Sequence, residues 1–592
     1  MAATPSPEPA WTPAFRLDEL SLGRPRVFKS GGRQLAVVRP AEGAVYAVDN
    51  RCPHEGYPLA QGVVVGGSVL MCCWHNFAFE LRTGRCVSGD EDVRSYPTRI
   101  VDGRVEIDLA DPDPLSRADG VFASLEGALL ERKLGQAARD VVRLLEAGVP
   151  PEEVTARIVA FDAARGEFGP DHAFPVAADA LPLLARHPGV KAALPIMLVA
   201  DVATESNAGR PRREFPEPID PGDDPEAAGR RLVEAAEAFR LPEVEALVHG
   251  ALARGWGRDV LEPWLFRLAS RHFLAFGHGL IFQVKTFDLL DRIGWQHAGA
   301  LLPPLAWVIG AMPREERIPT HAGFRKRLDA LEAELPAWVE KQGAGTLDAG
   351  ARSAIRTGVL DGSLDEALDA VADALRAGAP GDAVAGVLSI AAAERLLRFD
   401  LEVDADPGVQ EGWLDETHLI TYANAVRTGL RRHGDADALR GLLFAAWFIH
   451  RMQPLDQPPE RRPDPCAGGG GAPPTLEEVT AAVGSRAGDR AVALAARYLR
   501  GGGDARALRT ALEDLSLGDH GTRPIFVAHF LKTSVAAFEE WDALAGDPDR
   551  DLLPLAAVRF LATPIAERRV ASLTEDAIRF VRDGRPPRRL TP

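Results

Sequence analysis

Between residues 34 and 50 the chain carries two apolar runs, QLAVVRP and AVYAVDN, joined by a short loop that holds Gly43. Their Val-rich make-up suits a pleated, half-buried surface, so both predict β-strands. Further on, YPTRIVDGRVEIDL predicts a hairpin, because Asp102-Gly103 suits a type I′ turn and Val105, Ile107 and Leu109 alternate after it. Past the Pro/Asp/Gly stretch LADPDPLSRADG, alternation gives way to Ala- and Leu-rich segments with helical spacing.

The helical part resembles itself. Four histidines head segments of one design: DHAFPVAADALPLLARHPG at His172, GHGLIFQVKTFDLLDRIG at His278, THLITYANAVRTGLRRHG at His418 and AHFLKTSVAAFEEWDALAG at His529. A glycine falls sixteen or seventeen residues after each histidine, where a helix C-cap is expected. A second apolar helix then follows: ALPIMLVADVA, LLPPLAWVIGA, LRGLLFAAWFIHRM and LLPLAAVRFLA. Upstream of each histidine lies a helix, a glycine turn and another helix. The spacing therefore predicts four copies of a roughly four-helix unit, at about 121–205, 232–312, 362–452 and 475–563. Polar Pro/Gly-rich insertions separate them, including LDQPPERRPDPCAGGGGAPP, which reads as a loop.

The β-rich part holds the strongest chemical signal. NRCPHEGYPL supplies Cys52 and His54, and VLMCCWHNFAFELRTG supplies Cys72 and His75, giving C-x-H, seventeen residues, then C-x-x-H. A structural zinc site of the Cys2His2 kind pairs cysteine with cysteine and histidine with histidine. Here each knuckle mixes one of each, which suits a binuclear cluster with two thiolates on one iron and two imidazoles on the other. The stretch resembles a Rieske [2Fe–2S] domain. The resemblance implies a small all-β fold in which Cys52 and Cys72 bind one iron and His54 and His75 the other. Asn76 replaces the glycine common after the last histidine.

Respiratory members of that family carry an extra cysteine in each cluster loop, joined as a disulfide. Tyr57 stands at that position of the first loop, so no such bridge is expected and Cys73 is a spare thiol. Phe77 and Phe79 replace the hydroxyl donors of the respiratory type, which implies a potential at the low end of the Rieske range.

The expected architecture is a Rieske-type domain over 12–110, a linker over 111–120 and a large all-α repeat domain over 121–592. Net charge is −17, from 68 basic and 85 acidic residues, and no basic stripe stands out, which argues against nucleic acid. The N-terminal twenty residues lack a basic region followed by an apolar core, and no apolar run approaches a membrane span, so the expectation is a cytoplasmic protein with no membrane partner. Five cysteines, four of them between 52 and 86, do not form a secreted disulfide pattern.

If the four units close around a shared axis, His172, His278, His418 and His529 converge on it, and an interior with several imidazoles is a metal or substrate site. These four are the candidate catalytic residues, with a second metal among them. Asp415, His272, His520, Lys285 and Lys532 are weaker candidates. HGLIFQVKTFDLL, THLITYANAVR and AHFLKTSVAAF are similar to helical motifs of the questin-oxidase-like family. Members of that family are associated with oxidative ring cleavage of aromatic polyketides, so the likeness implies an oxygen-using enzyme and leaves its substrate open. No G-x-G-x-x-G lies between a strand and a helix, so electrons are expected from a separate NAD(P)H-dependent reductase or ferredoxin. The favoured function is an oxygenase-type oxidoreductase, in which the cluster feeds a site in the helical domain that oxidises a small organic substrate. The alternative is a non-catalytic electron carrier or redox sensor with a helical docking scaffold.

Overall fold

The computed structural model describes residues 9–53, 55–89, 91–111, 118–166, 171–406, 409, 411–462 and 472–565, with six positions beyond. His54, residues 112–117 of the expected linker and residues 463–471 of the Gly-rich insertion lie outside the described residues. The chain divides into two units, one comprising residues up to Ala128 with Gly135–Val149, the other Leu129–Leu134 with everything from Pro150 on. No helix among the described residues is long and apolar enough to cross a membrane.

Among its described residues the first unit holds eleven strands in three antiparallel sheets. β1 (Trp11–Arg16), β11 (Arg104–Asp108) and β10 (Thr98–Val101) form one sheet. β2 (Arg26–Ser30), β3 (Arg33–Ala41), β4 (Ala44–Asp49) and β9 (Ser95–Tyr96) form the second. β5 (Val63–Val65), β6 (Val69–Met71), β7 (Ala78–Glu80) and β8 (Cys86–Ser88) form the third. The expected hairpin is β10–β11, with Asp102 at φ 46° and Gly103 at φ 69°, as a type I′ turn requires.

Strand β3 is buried on both faces, and its side chains alternate between two cores. Leu35 and Val37 join Val45, Ala47, Val105 and Ile107 in one. Ala36 and Val38 join Val48, Leu59, Leu70, Phe79 and the two cysteines Cys52 and Cys72 in the other. The apolar run that predicts the strand thus fills both cores and also seats the candidate cluster loops on a packed apolar base.

Helices also belong to this unit. A helix begins at Ala118, inside the stretch read as a linker, and the helix Leu134–Glu146 is tied to the strands through Glu91, which is 5% exposed and ion-paired with Arg139 and Arg143.

The second unit is helical, and the protein is therefore an all-β region followed by a large all-α region, with 23 α-helices among the described residues. Four of its helices carry the candidate histidines: α1 (Ala173–Ala180), α2 (His278–Ile293), α3 (Trp413–Arg432) and α4 (Pro524–Ala543). They pack in a closed cycle, α1 on α2, α2 on α3, α3 on α4 and α4 back on α1. Gly189, Gly294, Gly434 and Gly546, the glycines that follow each histidine, all take positive φ. The segment at His172 departs from the expected single helix. It turns to a 3-10 helix at Leu181–Arg186, where Pro182 has no N–H to continue the α-helical ladder.

Candidate metal centres

The two loops expected to bind a cluster are built alike. In the first, Cys52 N donates to Tyr57 O (2.8 Å) and Gly56 N donates back to Cys52 O (2.7 Å). In the second, Cys72 N donates to Phe77 O (2.7 Å) and Asn76 N donates to Cys72 O (3.1 Å). The fifth residue of each frame, Gly56 and Asn76, is left-handed, at φ 79° and 59°. Asparagine tolerates that region, so the glycine common at this position is not needed.

Both cysteines are buried, whereas the His75 side chain is 42% exposed. Two buried thiols on matched loops, with an imidazole at the outer rim, fit a cluster whose sulfur-bound iron faces the protein. His54 lies outside the described residues. The two loops meet through aromatic rings: Tyr57 stacks on Trp74 at 4.0 Å between centroids and 21° between planes. Cys73 is exposed, its Sγ 3.4 Å from Gln61 O. The pairing of Tyr57 with Trp74 could not be read from the sequence.

The four candidate histidines of the helical unit come together. Nε2 of His278 lies 2.9 Å from Nε2 of His172 and 2.9 Å from Nε2 of His418, and Nε2 of His529 lies 3.0 Å from that of His418. All four ligand atoms lie within 4.8 Å of one another. The histidines do not share one helix position, as the sequence reading expected. His172 precedes α1 and His278 opens α2, but His418 and His529 sit more than a turn inside α3 and α4, since Trp413 and Pro524 start those helices earlier.

Each ring is oriented by its other nitrogen. Nδ1 of His172 donates to Asp171 Oδ1 (2.5 Å), that of His278 to Ala275 O, that of His418 to Asp415 O (3.2 Å) and that of His529 to Ile525 O (2.7 Å). Carbonyl and carboxylate oxygens only accept, so every Nδ1 carries a proton and every neutral ring turns a lone pair inward at Nε2. Burial holds His278, His418 and His529 well below the ordinary imidazole range, reinforced by neighbouring rings and by Lys532. Burial lowers His172 as well, against the raising effect of Asp171.

Four inward lone pairs at such distances repel unless a cation sits among them. Two imidazole nitrogens bound at right angles to one ion, each about 2.0–2.1 Å from it, lie about 3 Å apart. The ring fits a metal ion on both counts. Asp171, which accepts from His172 and from Ser206 Oγ (2.6 Å), has the placement of a carboxylate that orients a metal-bound imidazole. Sequence reasoning passed over it, although it directly precedes His172.

Lys532 Nζ lies 3.5 Å from His529 Nε2, and burial pushes its amine down to about 7. Lys285 pairs instead with Asp179 (2.7 Å), whose carboxyl burial pushes up to about 6. Asp415 caps its helix by accepting from Gly412 N (2.9 Å), so its side chain is taken. His272 bridges Glu316 and Glu237, each at 2.6 Å, and His520 contacts Leu515 O (2.9 Å) and Arg486. The side chains of Asp415, His272 and His520 thus have partners other than the four histidines, although the Asp415 carbonyl orients His418.

Residues 10–97 match the Rieske [2Fe-2S] domain family. The anthranilate 1,2-dioxygenase ferredoxin subunit of Burkholderia cepacia is 35% identical over 101 residues, which are 17% of this chain and 92% of that protein. Cholesterol 7-desaturase nvd of Hemicentrotus pulcherrimus is 38% identical over 77 residues, 13% of this chain and 16% of the desaturase. The 4beta-methylsterol monooxygenase of Methylococcus capsulatus is 34% identical over 101 residues, 15% of this chain and 26% of the monooxygenase. The two larger enzymes are thus matched over 16% and 26% of their length, whereas the ferredoxin is matched almost throughout. Through its N-terminal residues the chain belongs to the Rieske [2Fe-2S] domain family, an electron-transfer family, and that part binds a [2Fe–2S] cluster.

Proposed function

We propose that the protein is a Rieske oxidoreductase in which the cluster passes electrons to a metal ion held by His172, His278, His418 and His529, for oxygen-dependent oxidation of a small organic substrate. The observation that carries this reading is the convergence of four Nε2 lone pairs in the helical unit. Cys52, His54, Cys72 and His75 hold the cluster, which supplies one electron at a time. Cys52 and Cys72 keep its sulfur-bound iron in the apolar core, while His75 at the rim gives electrons a way in.

In the helical unit the protein's own part is to fix charge and direction. Asp171 anchors His172 and makes its inward nitrogen more basic, and three backbone carbonyls hold the other rings as neutral Nδ1–H tautomers. A redox-active ion there, iron in our reading, supplies the chemistry of oxygen reduction. Imidazoles alone leave the ion's full positive charge in place, which suits binding of an anionic or phenolic group of the substrate. The likeness of the α2, α3 and α4 motifs to questin-oxidase-like sequences favours an aromatic polyketide as that substrate. Electrons come from a separate NAD(P)H-dependent reductase or ferredoxin, and the cytoplasm is the expected compartment. The ferredoxin relatives favour the second reading, a carrier that serves another enzyme.

Oxygen uptake separates the two. Full-length protein loaded with cluster and iron is supplied with NADH, a Rieske-system reductase and an aromatic polyketide panel. The proposed reading expects uptake that is abolished in both Cys52→Ser and His278→Ala/His418→Ala. A carrier shows cluster reduction at the same rate in wild type and in the histidine variant, with no uptake beyond cluster autoxidation.

A further inference from the structure

His278 is the central member of the ring, with its Nε2 2.9 Å from two other histidines, yet, like His172, it finds its Nδ1 acceptor outside its own helix. His418 and His529 donate Nδ1 to carbonyls of the helices they sit in. His278 opens α2, so its acceptor, Ala275 O, lies in the preceding loop. That loop is strained. Ala275, Phe276 and Gly277 are left-handed in succession, at φ 46°, 55° and 86°, a region that alanine and phenylalanine rarely adopt. Gly277 cannot be replaced cheaply, because a Cβ there would lie 2.3 Å from the Tyr422 ring.

The His278 N–H closes the turn on Ala275 O (3.0 Å), and two contacts from residues 313–315 hold it from outside. Ala275 N donates to Pro313 O (3.1 Å), and Phe276 N donates to Oε1 of Glu315 (2.5 Å). Glu315 is 5% exposed, and its other oxygen pairs with Arg451. The Arg451 guanidinium in turn lies over the rings of Phe276 (5.2 Å), Trp447 (5.2 Å) and Phe448 (5.6 Å). A buried carboxylate thus clasps the backbone of a strained turn and is itself locked by a guanidinium packed on the turn's own aromatic side chain. Nothing in the general stability of a helical bundle needs a left-handed run at this point, whereas aiming His278 does.

We infer that Glu315 is a positioning residue for the ring: through the Phe276 N–H and Arg451 it holds the Ala275–Gly277 turn that presents Ala275 O to His278 and points Nε2 at the shared centre. The inference rests on the proposed metal ring. Removing a group that orients a metal ligand lowers affinity by about 10- to 100-fold. The turn is the target of that loss, so relieving its strain should recover part of it, because glycine accepts left-handed backbone without the steric penalty that alanine meets there, at a cost in entropy.

The test uses full-length protein with its cluster in place and Co(II) as the probe, read by its d–d absorption and by chelator competition. Wild type, Glu315→Ala, Glu315→Gln and Glu315→Ala/Ala275→Gly are compared, with cluster content and thermal unfolding as folding controls. The inference expects Glu315→Ala to bind Co(II) at least tenfold more weakly with an altered d–d spectrum. Glu315→Gln, which keeps an acceptor for Phe276 N, should lie between, and the glycine double variant should regain part of the lost affinity, with a spectrum closer to wild type than that of Glu315→Ala. Wild-type affinity and spectrum in folded Glu315→Ala overturn the inference alone. So does a loss that the glycine fails to recover. Absence of any Co(II) site in wild type overturns it together with the proposed function.

Discussion

Tyr57 and Trp74 stack across the two cysteine loops, their ring centroids 4.0 Å apart, although Trp74 leaves 59% of its surface exposed. An exposed tryptophan gains little from burial, so its contribution is the clamp. Such pairs are worth about 0.5–1.5 kcal/mol beyond the area they bury. Trp74→Ala should let the loops part more easily and speed chelator-driven bleaching of the cluster roughly two- to tenfold. Time-resolved absorbance in the cluster's visible bands checks this, and an unchanged rate would show that the stack does not hold the loops.

Asp171 and His172 give a second expectation. Asp171→Asn keeps an acceptor for Nδ1 but removes the charge, so the ring metal should bind about 10- to 100-fold more weakly. Chelator competition on the full chain measures it, and cluster content should not change.

Lys532 carries a pH dependence. Burial lowers its folded value to about 7, while the unfolded chain keeps an ordinary lysine value of about 10.5. Between these values the unfolded state binds more protons than the folded one, so the metal-free helical unit should gain stability as pH rises from 7 towards 10. Lys532→Met should flatten that slope and raise stability at pH 7. Thermal unfolding of the metal-free protein at pH 7.5 and 9.5 decides it. Equal slopes in the two proteins would contradict it.

Glu91 predicts where the β unit ends. Replacing both Arg139 and Arg143 leaves a carboxylate that is 4% exposed without its cations. The arginines are themselves about 40% exposed, so the cost should be about 2 kcal/mol rather than the 3–5 of a fully buried pair. Denaturant unfolding followed by cluster absorbance should shift to lower midpoint, because the helix Leu134–Glu146 supports the strands that carry the cluster.

Much of this fold is written in local pattern. Val-rich apolar runs mark β3 and β4, alternation and an Asp-Gly turn mark the β10–β11 hairpin, and Cys/His spacing marks both loops, because each depends on residues close in sequence. The ring of histidines was half legible. Internal likeness picked out all four residues, but where each falls in its helix depends on where the helix starts, which Pro524 and Trp413 set. What holds the rings was not legible. Ala275 O, Asp415 O and Ile525 O are backbone atoms with no side-chain signature, and Glu315 reaches Phe276 from 39 positions away. The place of the helix Leu134–Glu146 beside the strands was hidden for the same reason, since Glu91 and Arg139 meet only in the folded chain.

The central claim is a second metal site in the helical unit, and counting atoms tests it most directly. Anaerobically purified full-length protein is assayed for iron, other transition metals and acid-labile sulfide, beside His278→Ala/His418→Ala. A [2Fe–2S] cluster alone gives about two irons and two sulfides per chain. The account predicts about one further metal ion per chain in wild type, absent from the histidine variant while sulfide is unchanged. Iron equal to sulfide, with no other metal in either protein after reconstitution with excess iron, would contradict it.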